Sequence, residues 1–156
     1  MEATTVNEKE MLDYIVEIVH RCGDIMLSAT DIARKTHQKE GKGNFCTDYD
    51  SRIQASLKRE LLQLLPEAIF YGEEDDADQA DVSKGYAFIV DPIDGTTNFT
   101  RGLSFSCVSV ALTKDGIARI GVVYNPYAKE TFTAIKGQGA FLNGSPIQVS
   151  DRPLDK

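Results

Sequence analysis

Residues 104–124, SFSCVSVALTKDGIARIGVVY, hold two runs of β-branched and small apolar residues joined by Lys-Asp-Gly. A connection this short cannot make a crossover, so the two runs must be antiparallel neighbours. Asp-Gly also supplies the left-handed residues that a tight hairpin needs. Downstream, ETFTAI at 130–135 follows the connector NPYAK, and Asn143-Gly144 marks another hairpin turn before PIQVS. Upstream, YAFIV at 86–90 and AIFY at 68–71 are short apolar runs flanked by Gly and acidic residues, the pattern of buried strands.

Before the strands the period lengthens. Leu12, Ile15, Val16, Val19, Cys22 and Met26 recur at helical intervals behind Thr5 and Glu8, which have capping-box spacing. They predict one amphipathic helix over residues 6–33. The Lys- and Gly-rich stretch from Lys35 to Phe45 reads as a mobile loop. Thr47 or Asp48 then caps a second helix with the core stripe Ile53, Leu57, Leu61 and Leu64, ended by Pro66. Two N-terminal helices packed on a largely antiparallel sheet make an α+β fold, in one domain over residues 1–156.

Composition narrows the chemistry. With 42% hydrophobic residues among 156, the chain can fill a single core. A formal charge of -7, from 24 acidic and 17 basic residues, disfavours nucleic acid as a partner. No apolar run is long enough to span a bilayer, so no membrane partner is expected, and MEATTVNEKEM has neither the basic start nor the apolar core of a signal peptide. These features predict a cytoplasmic protein. Cys22, Cys46 and Cys107 form no C-x-x-C pair and read as buried free thiols. Histidine occurs only at 20, near a helical core stripe, and at 37, in a polar loop, which gives a histidine-based triad little to work with. Asn98-Phe99-Thr100 matches a glycosylation sequon, a chance match in a chain expected to stay in the cytoplasm. Carboxylates and metals remain.

The informative run is Asp91-Pro92-Ile93-Asp94-Gly95-Thr96-Thr97-Asn98, which starts where the apolar strand AFIV is expected to stop. Two carboxylates leave that strand end together. Pro92 stiffens the turn, Gly95 removes side-chain bulk, and the amides from Gly95 onward can open a short helix whose leading N–H groups face outward, an anion site. Carboxylates beside an anion repel it unless cations intervene, and all-oxygen ligands favour Mg²⁺. A second acidic group, Gly72-Glu73-Glu74-Asp75-Asp76, follows the strand AIFY, so adjacent strands can bring Glu73 beside Asp91. Carboxylates from separate strand ends that hold two cations are a known arrangement for attack of water on a phosphate ester. The same segments also have structural readings: EEDDADQAD as a solvated acidic loop, Asp-Gly-Thr as an ordinary helix start, and residues 39–43 as a flexible surface segment.

DPIDGTTNF resembles the first signature of the inositol monophosphatase family, within the magnesium-dependent, lithium-sensitive phosphatase superfamily. NFCTDYD, FYGEED, GVVYNP and KGQGAFLNG resemble family segments in the same order, so the resemblance covers nearly the whole chain. It implies that Glu73, Asp91 and the Ile93 carbonyl hold one Mg²⁺, that Asp91 and Asp94 contribute to another, that two or three ions bind in all, and that Li⁺ inhibits the activity. It further implies that Ile93, Asp94, Gly95 and Thr96 bind the substrate phosphate. Asp50 would orient the Thr96 hydroxyl, which with Glu73 activates water. Lys39 and Glu74 are loop candidates around the site, and Asn44 stands where some members have Asp.

The implied activity is hydrolysis of a small phosphate monoester, inositol monophosphate first, with nucleotide or fructose bisphosphate phosphatase as the alternative inside the superfamily. A non-catalytic metal-binding or dimerising fragment is the alternative outside it. Full-length members are expected to be homodimers. The resemblance also implies that this chain is the first half of an αβαβα layered fold, without the C-terminal α/β half and its Trp-Asp signature. The chain has no Trp, and Asp115, Asp151 and Asp155 lie in turn or tail contexts unlike that signature.

Overall fold

A computed structural model describes residues 6–29, 36–38, 45–73 and 81–151, with the backbone alone at 36–38, 45 and 46. The first helix, α1 (Glu8–Leu27), is capped by Asn7, whose Oδ1 accepts the Glu10 N–H at 3.3 Å. The cap is therefore two residues later than the capping-box spacing suggested, and the helix ends at Leu27 with Ser28 as C-cap rather than running on to 33. Asn is among the best N-cap residues, and its side chain takes the role expected of Thr5.

The segment expected to be a mobile loop contains structure. β1 (Thr36–Gln38) pairs antiparallel with β2 (Phe45–Thr47) as a separate two-stranded ladder. Thr-His-Gln has no apolar alternation to signal a strand. α2 (Asp48–Leu64) begins in a full capping box: Thr47 accepts from the amides of Tyr49 and Asp50, while Asp50 accepts the Thr47 N–H at 2.8 Å. Its stripe is fully buried at Ile53, Leu57 and Leu61, and Leu65 rather than Leu64 completes it.

Seven strands follow in strict sequence order: β3 (Ile69–Gly72), β4 (Tyr86–Asp94), β5 (Cys107–Lys114), β6 (Ile117–Asn125), β7 (Glu130–Ile135), β8 (Ala140–Leu142) and β9 (Ser145–Ile147). All neighbours are antiparallel except β3 and β4, which run parallel. The hairpin residues adopt the left-handed conformation their types favour: φ is 51° and 73° at Asp115 and Gly116, and 49° and 78° at Asn143 and Gly144.

Both helices cover one face of this sheet. Ile15, Val19, Cys22 and Met26 of α1 and the α2 stripe enclose Phe88, Val90, Val108, Val110, Leu112, Ile120 and Val122, the inward residues of β4, β5 and β6. Each such side chain contributes roughly 1.5–3 kcal/mol by leaving water. Strand alternation turns Ile89, Val123 and Phe132 to the opposite face, where Ile89 and Phe132 are each 37% exposed. His20 packs on the sheet edge: its Nε2 lies 2.8 Å from Thr131 Oγ1 and its ring sits 4.3 Å from that of Tyr124. Cys22 is buried, and burial pushes its thiol up to about 12. Cys107 departs from the expected buried thiol, being only half-buried. The side chains of His37 and Cys46 lie outside the described residues.

Candidate active site

The acidic loop that Asp91 and Asp94 form is an extension of β4. That strand does not stop at Val90 but continues to Asp94, with its register against β5 broken between Asp91, opposite Ser109, and Asp94, opposite Cys107. The irregularity falls at Pro92, which has no N–H to give a ladder. Asp91 is half-buried there, its Oδ1 accepting the Ile93 N–H at 3.1 Å, while Asp94 is turned outward.

Parallel pairing places the second acid. β3 ends at Gly72 opposite Val90, and the Glu73 N–H continues the ladder to the Val90 carbonyl at 3.0 Å. Continuing that register sets Glu73 level with Asp91, and the two carboxyls share a hydrogen bond. Burial first, then the Glu73 charge and that bond, then Asp94, push the Asp91 carboxyl up to about 8, against a smaller pull downward from the Ile93 N–H. Like charges converge here. Gly72 permits the approach of α2 behind this corner, since a Cβ at that position would lie 2.2 Å from Gln54 Oε1.

Gly95 turns the chain at φ 87° into α3 (Thr96–Thr100). A Cβ there would lie 3.1 Å from the Phe105 carbonyl oxygen, so both the backbone angle and the space require glycine. The Thr96 hydroxyl oxygen is 2.9 Å from the Ile93 carbonyl and 3.3 Å from Asp50 Oδ1. Asp50 is 1% exposed, and its other oxygen accepts from the Thr47 amide and hydroxyl. The helix-start aspartate therefore reaches the acidic loop while capping its own helix.

The structure thus gathers Asp50, Glu73, Asp91, Ile93, Asp94, Gly95 and Thr96 around one corner of the sheet, whereas Lys39, Asn44 and Glu74 lie outside the described residues. Asp115 lies in the hairpin at the far end of β5, where its Oδ1 accepts the Gly85 N–H at 2.9 Å; Asp151 is exposed, and Asp155 is outside the described residues. Three carboxylates and the Ile93 carbonyl, which keeps a second lone pair beyond the one facing Thr96, are the donor set of a hard, oxygen-seeking cation. Among the described residues no group of three His, Cys, Asp or Glu side chains stands ready-made to cage an ion.

Two neighbours carried no signal in the sequence. Cys107 Sγ lies 3.8 Å from Asp94 Oδ2, and burial, followed by the Asp94 and Asp91 charges, pushes the thiol up to about 11. Ser106, beside it, is 5% exposed with a hydroxyl that finds no partner among the described residues. Only the register of β4 against β5 brings them to the acidic loop.

Comparison with known proteins agrees with this architecture. Residues 7–156 match the profile of the inositol monophosphatase family. Inositol monophosphatase 3 of Solanum lycopersicum is 40% identical over 148 residues, covering 92% of this chain and 54% of the relative. Human inositol monophosphatase 1 is 31% identical over 146 residues, with 92% and 53% covered. Among solved structures, the extragenic suppressor protein suhB of Bartonella henselae superposes with a TM-score of 0.82 at 32% identity, over 92% of this chain and 55% of its own. The chain spans about half the length of each of these relatives.

Proposed function

This chain belongs to the inositol monophosphatase family, and from that premise we propose that it is the metal- and phosphate-binding half of a Mg²⁺-dependent phosphomonoesterase acting on inositol monophosphate. The observation that carries the reading is the meeting of Glu73 and Asp91 from two parallel strands, with Asp94 beside them, at the turn that starts α3. Self-repelling carboxylates held by a folded sheet fit a site completed by cations.

Glu73, Asp91, Asp94 and the Ile93 carbonyl would hold Mg²⁺, in two or three ions, and Li⁺ would compete for those places. Bound there, Mg²⁺ supplies Lewis-acid polarisation of the phosphoryl group and brings water closer to deprotonation at neutral pH. The protein contributes position. The amides of Gly95 and Thr96 at the start of α3 would receive the phosphate oxygens. Asp50, buried and fixed by Thr47, holds the Thr96 hydroxyl in place, and Thr96 with Glu73 would orient water and accept its proton. The second α/β half, contributed by further polypeptide, would complete the site and the substrate pocket. The assembled enzyme is read as a cytoplasmic homodimer.

Phosphate release from inositol 1-phosphate tests this, measured with and without Mg²⁺ for this chain and for the same chain joined to the remaining half of its parent. Turnover by the joined protein only with Mg²⁺ supports the reading. Absence of turnover in both, with Mg²⁺ still bound, would favour a metal-binding module instead.

A further inference from the structure

Asn143-Gly144 is the only Asn-Gly pair in the sequence, and it forms the exposed turn between β8 and β9. Gly144 has no Cβ, so no side chain of its own shields its nitrogen from the neighbouring amide. Such a pair is chemically labile. The Gly144 nitrogen, on losing its proton, can attack Asn143 Cγ; a new C–N bond closes a succinimide, and the side-chain nitrogen leaves as ammonia. Water then opens the ring at either carbonyl, giving aspartate or isoaspartate.

The fold holds Asn143 off that path. Its Oδ1 accepts the Thr131 N–H at 2.8 Å, its Nδ2 donates to the Lys129 carbonyl at 3.2 Å, and its own N–H donates to the Thr131 carbonyl at 2.9 Å. All three bonds reach to the start of β7, whereas Gly144 leads the chain into β9, on the other side of β8. With both ends of the side-chain amide occupied, Cγ cannot swing onto the Gly144 nitrogen until both bonds break. Either product then disturbs the clamp. Aspartate sets an oxygen against the Lys129 carbonyl in place of a donor, and isoaspartate adds a main-chain carbon to a turn that pairs Leu142 with Ser145. We propose that Asn143 is a site of spontaneous deamidation gated by release of this clamp, so that conversion irreversibly marks each chain whose β7–β8–β9 edge has opened.

Peptide mass mapping of the chain aged at mildly alkaline pH, folded and in guanidinium chloride, tests the proposal. Isomerisation at Asp94-Gly95 or Asp115-Gly116 changes no mass and is not counted. Deamidation at Asn143 should run at least about fivefold slower in the folded chain, the factor set by two hydrogen bonds at the weak end of their range. Hydrogen exchange supplies an independent measure, because the Thr131 amide is released by the same opening. Its protection should match the slowing of deamidation to within about threefold. Equal rates in the folded and unfolded chains overturn the proposal. Slow reaction beside an unprotected Thr131 amide overturns it as well, since the barrier would then lie in the turn's own geometry and not in the clamp. An unfolded chain that keeps its Asn143 amide removes the site altogether.

Discussion

The Thr96 hydroxyl oxygen stands 3.3 Å from Asp50 Oδ1 and 2.9 Å from the Ile93 carbonyl, so its one proton is shared between a buried carboxylate and a strand-end carbonyl. Thr96→Ala removes that hydroxyl without touching any carboxylate. Turnover of the assembled enzyme should fall about a hundredfold or more, the scale of a lost proton-transfer group, while Mg²⁺ affinity stays within about threefold. Steady-state kinetics beside a Mg²⁺ titration separate the two. A larger loss in metal affinity than in turnover would show that Thr96 supports the metal site rather than the water.

Asp50→Asn should be felt in folding as well. Asp50 is 1% exposed and accepts both the amide and the hydroxyl of Thr47. An amide nitrogen in place of one oxygen turns a donor towards either Thr47 or Thr96. The expected loss is about 1–3 kcal/mol, the cost of a buried polar group left mispaired, read from urea unfolding. Unchanged stability would mean that the capping box carries little of the helix-start energy.

The raised Asp91 carboxyl sets a pH dependence. Its value is about 8 in the folded chain against 3.8 in the unfolded one, so the folded state holds a proton that the unfolded state releases. The contribution of Asp91 to the stability of the metal-free chain is full below about pH 4 and is lost progressively as pH rises towards 8. Thermal melts in EDTA from pH 5 to 8 should slope downward, and Asp91→Asn should flatten that slope and raise stability at pH 8. The same variant should lose Mg²⁺-dependent activity in the assembled enzyme. A slope that survives in Asp91→Asn would place the titrating group elsewhere.

How much of this was legible in the sequence follows from the range of each interaction. The hairpins at Asp115-Gly116 and Asn143-Gly144, the Thr47 cap and the α2 stripe are local, and their residue types announce them. The run from Asp91 to Asn98 was legible as a carboxylate pair ahead of a helix start, and the meeting of Glu73 with Asp91 followed from expecting adjacent strands. The parallel sense of β3 with β4 was not legible, because AIFY reads the same in either direction. Ser106 and Cys107 stayed hidden because single polar residues at the start of a strand acquire meaning only from the register across it.

Gly95 tests whether the turn or merely its composition matters. Gly95→Ala forces a side chain into φ 87° and sets its Cβ 3.1 Å from the Phe105 carbonyl oxygen. That oxygen is itself held by Asn98 Nδ2 at 2.8 Å, so it cannot retreat without breaking the bond. The left-handed angle alone costs about 1–2 kcal/mol for an L-residue, and the contact adds to it. Urea unfolding should show a loss of at least that size. A change smaller than about 0.5 kcal/mol, the range of neutral surface substitutions, would mean that the loop relaxes freely.

Gly23→Ala sets two opposing effects against each other in α1. Helix propensity alone favours Ala over Gly by about 1 kcal/mol. Yet a Cβ at Gly23 would lie 2.4 Å from Tyr124 Cε1 and 3.0 Å from Pro126 Cβ. The Tyr124 ring lies 4.3 Å from that of His20, which is tied at 2.8 Å to Thr131, so withdrawing the ring disturbs that contact as well. Overpacking costs about 1–3 kcal/mol and should outweigh the propensity gain, giving a net fall in stability. The penalty should shrink where the ring is absent: in a Tyr124→Ala background, Gly23→Ala should lie between mildly destabilising and stabilising by up to about 1 kcal/mol, because propensity then opposes only the Pro126 contact at 3.0 Å. Equal effects in both backgrounds would mean that α1 shifts as a body on the sheet instead of meeting it at this contact.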